Sequence, residues 1–298
     1  MSKRAVGIAG IVVAALVVVA MIPLAVIWVR GITAQPSADP TPTPTVTADP
    51  TPTPTPTGPA QNGDSYSADD YPVVDVFMIN GDLPVDDAPN EPTIGATAAP
   101  DEVDGAPVFA DPAKEPVAWL PQEQRYGGTV VPIVEQHDHW VKVLLVGRQA
   151  RAGDGDASQL TGWLRADDVQ IEELDSSVEV DLGEGTVDIV TGAGDDAERE
   201  TVATDFAWGT EATPTPKGRS FVMMTEVTSF EYARGHPIVY LSVQSSTLAG
   251  FGGQDVAITA FHYHDVRSGA ISNGCIRVDA DAITKLAALP EGTPIYVS

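Results

Sequence analysis

The sequence of 298 residues predicts a mainly β protein, with a membrane-spanning helix near its N-terminus and one short helix near its C-terminus. Short runs of β-branched and aromatic residues, separated by Gly, Asp and Pro, recur from residue 128 to the end of the chain. After residue 30, helical spacing of apolar residues occurs only in D-A-I-T-K-L-A-A-L at 281–289. Many strands with one late helix are typical of a mostly antiparallel β domain.

The predicted membrane span lies at residues 5–29, where 25 consecutive residues carry no charge. At about 1.5 Å per residue, a helix of this length crosses a bilayer with some tilt. Lys3 and Arg4 precede the span, and basic residues favour the cytoplasmic side of a membrane. We therefore expect residues 1–30 to form a single-pass anchor in the cell membrane, with the remaining chain outside the cell.

Residues 31–104 are expected to form a linker. No Lys or Arg occurs between residues 31 and 113, and T-P-T-P-T-V-T-A-D-P-T-P-T-P-T-P-T-G-P at 41–59 is a low-complexity tract that favours extended polyproline II structure. Extended at about 3.1 Å per residue, positions 35–60 would reach about 80 Å. The sequence therefore predicts a spacer that holds a folded part away from the membrane, with order beginning near residue 105.

The chain is strongly acidic, with 42 Asp and Glu against 16 Lys and Arg and a net charge of −26. A nucleic acid or an anionic lipid surface would be repelled by such a protein. We therefore expect no nucleic acid partner, and contact with the membrane only through the N-terminal helix.

A small β-barrel is predicted at residues 105–174. The runs G-T-V-V-P-I-V-E at 128–135 and H-W-V-K-V-L-L-V at 139–146 predict a hairpin. Trp119, Trp140 and Trp163 fall in this short region and supply apolar volume for a small core. The pattern W-V-K-V followed by G-W-L resembles a bacterial Src-homology-3-like domain.

The last segment, 175–298, is also predicted to consist mainly of strands. V-E-V-D-L at 178–182 and T-V-D-I-V at 186–190 form a second predicted hairpin around Gly-Glu-Gly. The 281–289 helix has either Asp279 or Asp281 as its N-cap, and Pro290 ends it. Further strands are predicted at 220–224, 238–243, 256–262 and 293–297.

Cys275 is the only cysteine in the chain. Outside the cytoplasm an unpaired thiol is exposed to oxidation, so its presence favours a chemical role. A nucleophilic cysteine needs a base, and F-H-Y-H-D at 261–265 supplies His262 and His264. Both histidines lie on the same face of an extended strand, so alternation leaves the choice between them open. Gly274 allows close approach of a substrate carbonyl to the backbone, where its amide and that of the cysteine are candidate oxyanion donors.

The residues around the cysteine resemble the signature of the L,D-transpeptidase catalytic domain family. That signature is a histidine at a strand end, followed by Ser/Thr-His-Gly-Cys and commonly by an arginine two residues later. This chain has Ser272-Asn273-Gly274-Cys275, with Arg277 at the arginine position.

Two further segments match that family. V-E-V-D-L at 178–182 is similar to the start of the domain, and T-P-T-P-K-G-R-S-F at 213–221 is similar to the family's Thr-Pro-x-Gly-x-Phe segment. The resemblance covers about two-fifths of the chain. It implies an L,D-transpeptidase-type β-sandwich or barrel over 175–298.

The resemblance also implies roles for individual residues. Cys275 is expected to be the nucleophile, His262 the base, and Arg277 the anchor for a substrate carboxylate. The interval between His262 and the cysteine is shorter than usual in the family, so His264 stays an alternative base. Ser272 and Asn273 are expected beside the substrate.

Asn273 departs from the family pattern, because a histidine is usual at that position. An amide cannot titrate, so its expected contribution is hydrogen bonding only.

The activity implied by the resemblance is cross-linking of peptidoglycan. A cysteine thioester forms on a donor tetrapeptide stem, and an amine of an acceptor stem resolves it. No cofactor or metal is implied, and carbapenem-type inhibitors are expected to acylate the thiol.

Two other classes of function fit the same residues. In the first, Asn273 and the short loop mark a decayed site in a wall-binding or structural protein. In the second, a hydrolase binds zinc through His262, His264, Asp265 and Cys275, which are all competent zinc ligands.

Overall fold

The computed structural model describes residues 58–298. The predicted membrane span and most of the Pro/Thr tract lie outside the described residues. Between residues 58 and 298, no helix is both long and apolar enough to cross a membrane.

The described chain contains seventeen strands, one α-helix and four short 3-10 helices. The elements are β1 Ala96–Pro100, β2 Ala106–Val108, β3 Ala118–Leu120, β4 Val131–Gln136, β5 Trp140–Leu145, β6 Leu160–Arg165, β7 Val169–Glu173, β8 Ser176–Asp181, β9 Thr186–Thr191, β10 Glu198–Ala203, β11 Ala207–Gly209, β12 Gly218–Val227, β13 Pro237–Gln244, β14 Ile258–Tyr263, β15 Gly269–Ser272, β16 Ile276–Val278, α1 Ala280–Leu286 and β17 Pro294–Val297.

The strands form three sheets. A five-stranded antiparallel sheet has the order β6-β5-β4-β1-β7, and β2 pairs with β3 in a two-stranded sheet. A ten-stranded sheet has the order β10-β9-β8-β17-β12-β13-β14-β16-β11-β15. Three of its strand pairs are parallel: β8 with β17, β14 with β16, and β11 with β15. The mainly β fold with one late helix is therefore confirmed.

Local hydrogen bonds explain two elements that the sequence predicts. In the β8–β9 hairpin, Oδ1 of Asp181 accepts from the backbone N–H of Gly183 at 2.8 Å and of Glu184 at 2.7 Å. At the start of α1, the Asp279 carboxylate accepts from the backbone N–H of Ala282 at 2.8 Å. Asp279, rather than Asp281, is therefore the N-cap.

The predicted hairpin of the 105–174 segment is confirmed as β4 and β5. Trp140 is fully buried and Trp119 is nearly so, whereas Trp163 is half-buried. The Src-homology-3-like assignment of this segment stays a prediction.

Contrary to the expectation of a linker up to residue 104, packed structure begins well before residue 105. Val74, Val76 and Leu83 are buried in the core of the five-stranded sheet, and β1 lies between β4 and β7 within it. The apolar residues of this acidic segment are few, and they pack against residues far away in the sequence. Local composition therefore does not predict that they are buried. The prediction of a linker over 31–104 is therefore wrong for the part after residue 73.

Strand β12 belongs to two hydrophobic cores, one on each face. Phe221 and Met223 join the five-stranded sheet in one core, whereas Val222 joins α1 and β14 in the other. Successive side chains of a strand point to opposite faces of the sheet. Three consecutive apolar residues, Phe-Val-Met, therefore predict that both faces of the strand are buried. The five-stranded sheet therefore covers one face of the ten-stranded sheet.

A buried ion pair fixes the segment that precedes β1 to β12. The side chains of Arg219 and Asp86 are 4% and 1% exposed, and two N–H···O bonds of 2.8 Å join them. Nη1 of Arg219 also donates to the carbonyl of Glu91 at 3.0 Å. The pair therefore holds residues 86–91 against the ten-stranded sheet.

We expect Arg219→Met to lower the free energy of unfolding by about 3–5 kcal/mol, because it leaves the Asp86 carboxylate buried without its partner. Equilibrium urea denaturation measures the loss. The double variant Arg219→Met/Asp86→Leu should recover part of it. Arg151→Met is the matched control, because the side chains of Arg151 and its partner Asp255 are 42% and 82% exposed and their pair should contribute at most about 1 kcal/mol. Equal losses for Arg219→Met and Arg151→Met would contradict a stabilising role for the buried pair.

Candidate functional site

Parallel pairing of β14 with β16 brings together the residues that the sequence places in the site. His262 lies opposite Arg277 in the register, and Cys275 immediately precedes β16. Phe261 points to the core beneath α1, so His262 points to the other face of the sheet. Three predicted site residues therefore meet at one sheet face.

On the sheet face that carries His262, the residues of β14 extend from the core of the five-stranded sheet to the site. Ile258 packs against that core, and Ala260 forms a small cluster with Ile238 against which Cys275 packs. The site therefore begins where the five-stranded sheet stops covering the ten-stranded sheet.

Ser272 shapes the turn that carries the thiol. Its hydroxyl donates to the carbonyl of Cys275 at 2.6 Å and accepts from the N–H of Gly274 at 3.1 Å. Ser272 is buried, so its side chain holds the turn and is not presented to a substrate. The Gly274 N–H is occupied by this bond, so it does not serve as an oxyanion donor in this conformation of the turn.

Gly274 is required by the backbone of the turn. Its φ of 113° lies in the region that L side chains rarely adopt, and an added Cβ would lie 3.4 Å from the carbonyl oxygen of Pro214. Asn273 is exposed, and its side chain forms no hydrogen bond with any described residue. Of the two expected substrate contacts, only Asn273 is accessible.

Two threonines of the T-P-T-P segment support the turn from below. Thr213 donates its hydroxyl to the carbonyl of Ser272 at 3.1 Å, and Thr215 donates to that of Gly274 at 2.8 Å. Sequence reasoning noted this segment but assigned no role to its threonines. Their position beside the turn comes from a contact over 59 residues, which no local pattern indicates.

The thiol of Cys275 is half-buried, and its Sγ lies 3.9 Å from the carbonyl oxygen of Ile258. Burial raises the pKa of the thiol, while a backbone hydrogen bond at Ala260 and the charge of Arg277 act in the opposite direction. The resting thiol therefore keeps its proton at neutral pH, and a base is needed to activate it.

His262 has the free lone pair that such a base requires. Its Nδ1 lies 2.8 Å from the carbonyl oxygen of Tyr263, which can only accept. Nδ1 therefore carries the proton and Nε2 is free to accept one. His262 is 7% exposed, and burial, assisted by the charge of Arg277, lowers its pKa to about 4.

His264 has the opposite tautomer. Its Nδ1 accepts from the backbone N–H of Val266 at 2.9 Å, so the proton of the neutral ring is on Nε2. Neither nitrogen then has a free lone pair for a thiol proton. The hydrogen-bond partners thus favour His262 over His264 as the base, a choice that strand alternation leaves open.

Within the described residues, no hydrogen bond joins the thiol to either histidine ring. Such bonds are often long before a substrate binds and tighten in the substrate complex.

Asp265 does not orient either histidine. Its carboxylate is exposed, pairs with Arg234, and accepts from the hydroxyl of Tyr263 at 2.6 Å. From residue 58 to the C-terminus, no group of three or more His, Cys, Asp and Glu side chains is arranged to hold a metal. The geometry therefore gives the zinc alternative no support.

Arg277 supplies an uncompensated positive charge. The ion pairs formed by the described residues do not include it, and its Nη1 donates only to the carbonyl of Val266, at 3.4 Å. Its Nε is buried without a partner in the described chain. A half-buried guanidinium with free donors is well suited to a carboxylate.

Tyr232 borders the site, although nothing in the sequence predicts it. Its ring meets His262 edge-on at 5.0 Å and stacks on His264 at 6.2 Å, measured between ring centroids. Phe230 also stacks on the Tyr232 ring, with 5.5 Å between the ring centroids. The two aromatic residues are half-exposed and form one wall of the site.

The fold and the site define a β domain that carries a cysteine, a histidine and an arginine on adjoining strands. Residues 175–297 match the family model of the L,D-transpeptidase catalytic domain, called YkuD. This match supports a transpeptidase. A search of curated proteins found no match to the chain.

Solved structures give distant likenesses. A fused Zn-dependent amidase/peptidase/peptidoglycan-binding domain-containing protein from Clostridium acetobutylicum is 20% identical, with a TM-score of 0.29 and coverage of 42% of this chain and 52% of that one. The L,D-transpeptidase (Yku) from Stackebrandtia nassauensis is 17% identical, with a TM-score of 0.30 and coverage of 43% and 57%. The catalytic domain of the E. faecium L,D-transpeptidase is 23% identical, with a TM-score of 0.27 and coverage of 42% and 97%.

The chain thus spans about half the length of the first two structures. At TM-scores of 0.27–0.30, these likenesses carry no argument about function.

The two histidines should differ in an NMR pH titration of their rings. We expect His262 to titrate near pH 4 as the Nδ1–H tautomer, and His264 to titrate below its usual range as the Nε2–H tautomer. The variants His262→Gln and His264→Gln assign the two sets of signals. A His262 ring that titrates near its usual pKa of about 6.5 would show that it is not buried as described.

Proposed function

We propose that this chain is a membrane-anchored L,D-transpeptidase that acts outside the cytoplasm and cross-links peptidoglycan stem peptides. The observation that carries the proposal is the meeting of Cys275, His262 and Arg277 on β14 and β16, inside the segment that matches the family model. The activity proposed for these residues is acyl transfer through a cysteine thioester.

In the first half of the reaction, Nε2 of His262 takes the proton from Sγ of Cys275 as the sulfur attacks a carbonyl. The carbonyl belongs to the third residue of a donor tetrapeptide. The tetrahedral intermediate expels the amine of the terminal D-alanine, which takes the proton back from the imidazolium. A thioester and a neutral histidine are left.

In the second half, the side-chain amine of an acceptor stem attacks the thioester. Nε2 of His262 takes the proton of that amine, and the proton then passes to the departing thiolate. The products are a new amide bond between two stems and the original thiol. No cofactor enters this balance.

Arg277 is proposed to bind a carboxylate of the donor stem. No described residue forms an ion pair with Arg277, and the net charge of the chain is −26, so its guanidinium is a local attractor for an anion on a generally repulsive surface. Asn273 is proposed to hydrogen-bond the peptide backbone, since its amide is exposed beside the thiol.

The pKa shifts fit a nucleophile that keeps its proton at rest and transfers it to the histidine only during attack on the substrate. Burial raises the thiol pKa and lowers that of His262, so both shifts favour the neutral pair over the thiolate–imidazolium pair. Because His262 stays unprotonated down to about pH 4, activity should fall in acid only well below the usual histidine range.

A catalytically decayed, wall-binding protein is the second candidate. Asn273 in place of histidine and the occupied N–H of Gly274 favour it.

We expect the enzyme to convert a disaccharide-tetrapeptide donor into cross-linked dimers detected by mass spectrometry. Cys275→Ala should abolish the product, and His262→Gln should lower the rate at least about a hundredfold. His264→Gln should stay within a few-fold of the parent, as the matched control.

A carbapenem should add one acyl group to the parent protein and none to Cys275→Ala. Absence of both product and adduct in the folded parent would support the decayed alternative. Loss of activity in His264→Gln alone would reverse the assignment of the base.

We also propose that the N-terminal helix anchors the protein and that the Pro/Thr tract sets its distance from the membrane, with residues 105–174 as a contact to the wall. Deletion of residues 35–57 spares the carbonyl of Ala60, which accepts from Nε1 of Trp140 at 2.9 Å. It should leave activity on soluble stem peptides intact and reduce cross-linking in cells. Equal loss in both assays would refute the spacer role.

A further inference from the structure

Arg148 inserts a buried guanidinium from the five-stranded sheet into the β13–β14 loop, residues 245–257. Arg148 lies three residues after the end of β5 and is 2% exposed. One nitrogen, Nη2, donates to the carbonyl of Ala249 at 2.8 Å and to that of Asp255 at 2.6 Å. These two carbonyls lie on either side of the tip of the loop. A single side chain therefore connects the two arms of the loop.

The charge of Arg148 is compensated weakly for a buried group. The Asp255 carboxylate forms its ion pair with Arg151 on the surface, at 3.0 Å, and Nη1 of Arg148 has no partner within the described chain. Desolvation lowers the pKa of Arg148 accordingly. A buried charge of this kind stabilises the fold little more than an apolar side chain would. We therefore expect Arg148 to contribute mainly by fixing the conformation of the loop.

The loop held by Arg148 adjoins the thiol. It ends at Ile258, whose carbonyl oxygen lies 3.9 Å from Sγ of Cys275. Ser246, near its start, lines a cavity of about 470 Å³ together with Pro214 and Thr215, which contact Gly274. The position of the loop therefore affects both the start of β14 and the support of the turn.

The stem of the loop is fixed, whereas its tip is exposed. Gln244 donates to the carbonyl of Val76 at 2.8 Å and accepts from the N–H of Ala257 at 3.3 Å. At the tip, Phe251 is half-exposed, and a Cβ on Gly252 or Gly253 would meet nothing within 4 Å. Within the tip, the N–H of Phe251 donates to the carbonyls of Gln254 at 3.1 Å and Val256 at 2.9 Å, so the tip is closed by its own backbone. The two bonds from Arg148 tie this closed tip to the segment that follows β5.

We propose that Arg148 is a positioning residue for the acyl transfer: through its bonds to Ala249 and Asp255, the five-stranded sheet sets the β13–β14 loop at the mouth of the Cys275 site. The effect on acyl transfer rests on the proposed function. The claim that Arg148 holds the loop does not depend on that function.

The test compares Arg148→Met and Arg148→Lys with the control Arg151→Met in the full chain. Arg151→Met removes the exposed pair with the Asp255 carboxylate but leaves the bonds to the loop carbonyls. We expect kcat/KM on the tetrapeptide donor to fall about tenfold or more in both Arg148 variants, since small displacements of a reacting group are costly. Arg151→Met should stay within about twofold, because an exposed ion pair contributes little.

Two further readouts separate positioning from general destabilisation. Hydrogen exchange of residues 245–257 should speed up in the Arg148 variants while β12 and β13 stay protected. Alkylation of Cys275 by iodoacetamide, which needs no positioned peptide, should change less than kcat/KM does.

Unchanged exchange in the loop, or unchanged kcat/KM in a folded Arg148 variant, would overturn the proposal. If Arg148→Met does not fold, Arg148→Lys decides, because it keeps the charge and most of the volume. If the parent protein shows no turnover, the proposed function fails, and the hydrogen-exchange comparison alone decides whether Arg148 holds the loop.

Discussion

Strand β12 is buried on both faces, and this burial joins the two large sheets. Phe221 and Met223 face the five-stranded sheet and Val222 faces α1, and β13 repeats this division with Tyr240 and Leu241. A strand without a solvent face is stable only while both layers are present. The five-stranded sheet is therefore an integral layer of the domain that carries the site, and residues 58–298 lie within a single compact unit.

The site lies where that two-sided coverage ends. Ile258 is covered by the five-stranded sheet, Ala260 packs beside the thiol, and His262 faces the open part of the cleft. This gradient leaves Cys275 half-buried and His262 buried, and burial is the main cause of both of their pKa shifts. Packing of the two sheets thus determines the proton chemistry of the site.

Sequence reasoning succeeds here where the information is local. The β8–β9 hairpin and the late helix follow from turn and capping residues, although only the structure decides that Asp279 and not Asp281 is the N-cap. The cysteine motif follows from four consecutive positions. It fails for residues 73–100, whose burial depends on partners far along the chain. It also leaves the base undecided, because His262 and His264 share a strand face and only their backbone partners distinguish them.

Native-state hydrogen exchange in low denaturant shows whether the two sheets fold as one unit around β12. If they do, the slowest amides of β4 and β5 exchange with the same opening free energy as those of β12 and β13. Arg219→Met should then lower both values equally. Opening of β4 and β5 at clearly lower free energy, with β12 and β13 still protected, would contradict a single folding unit.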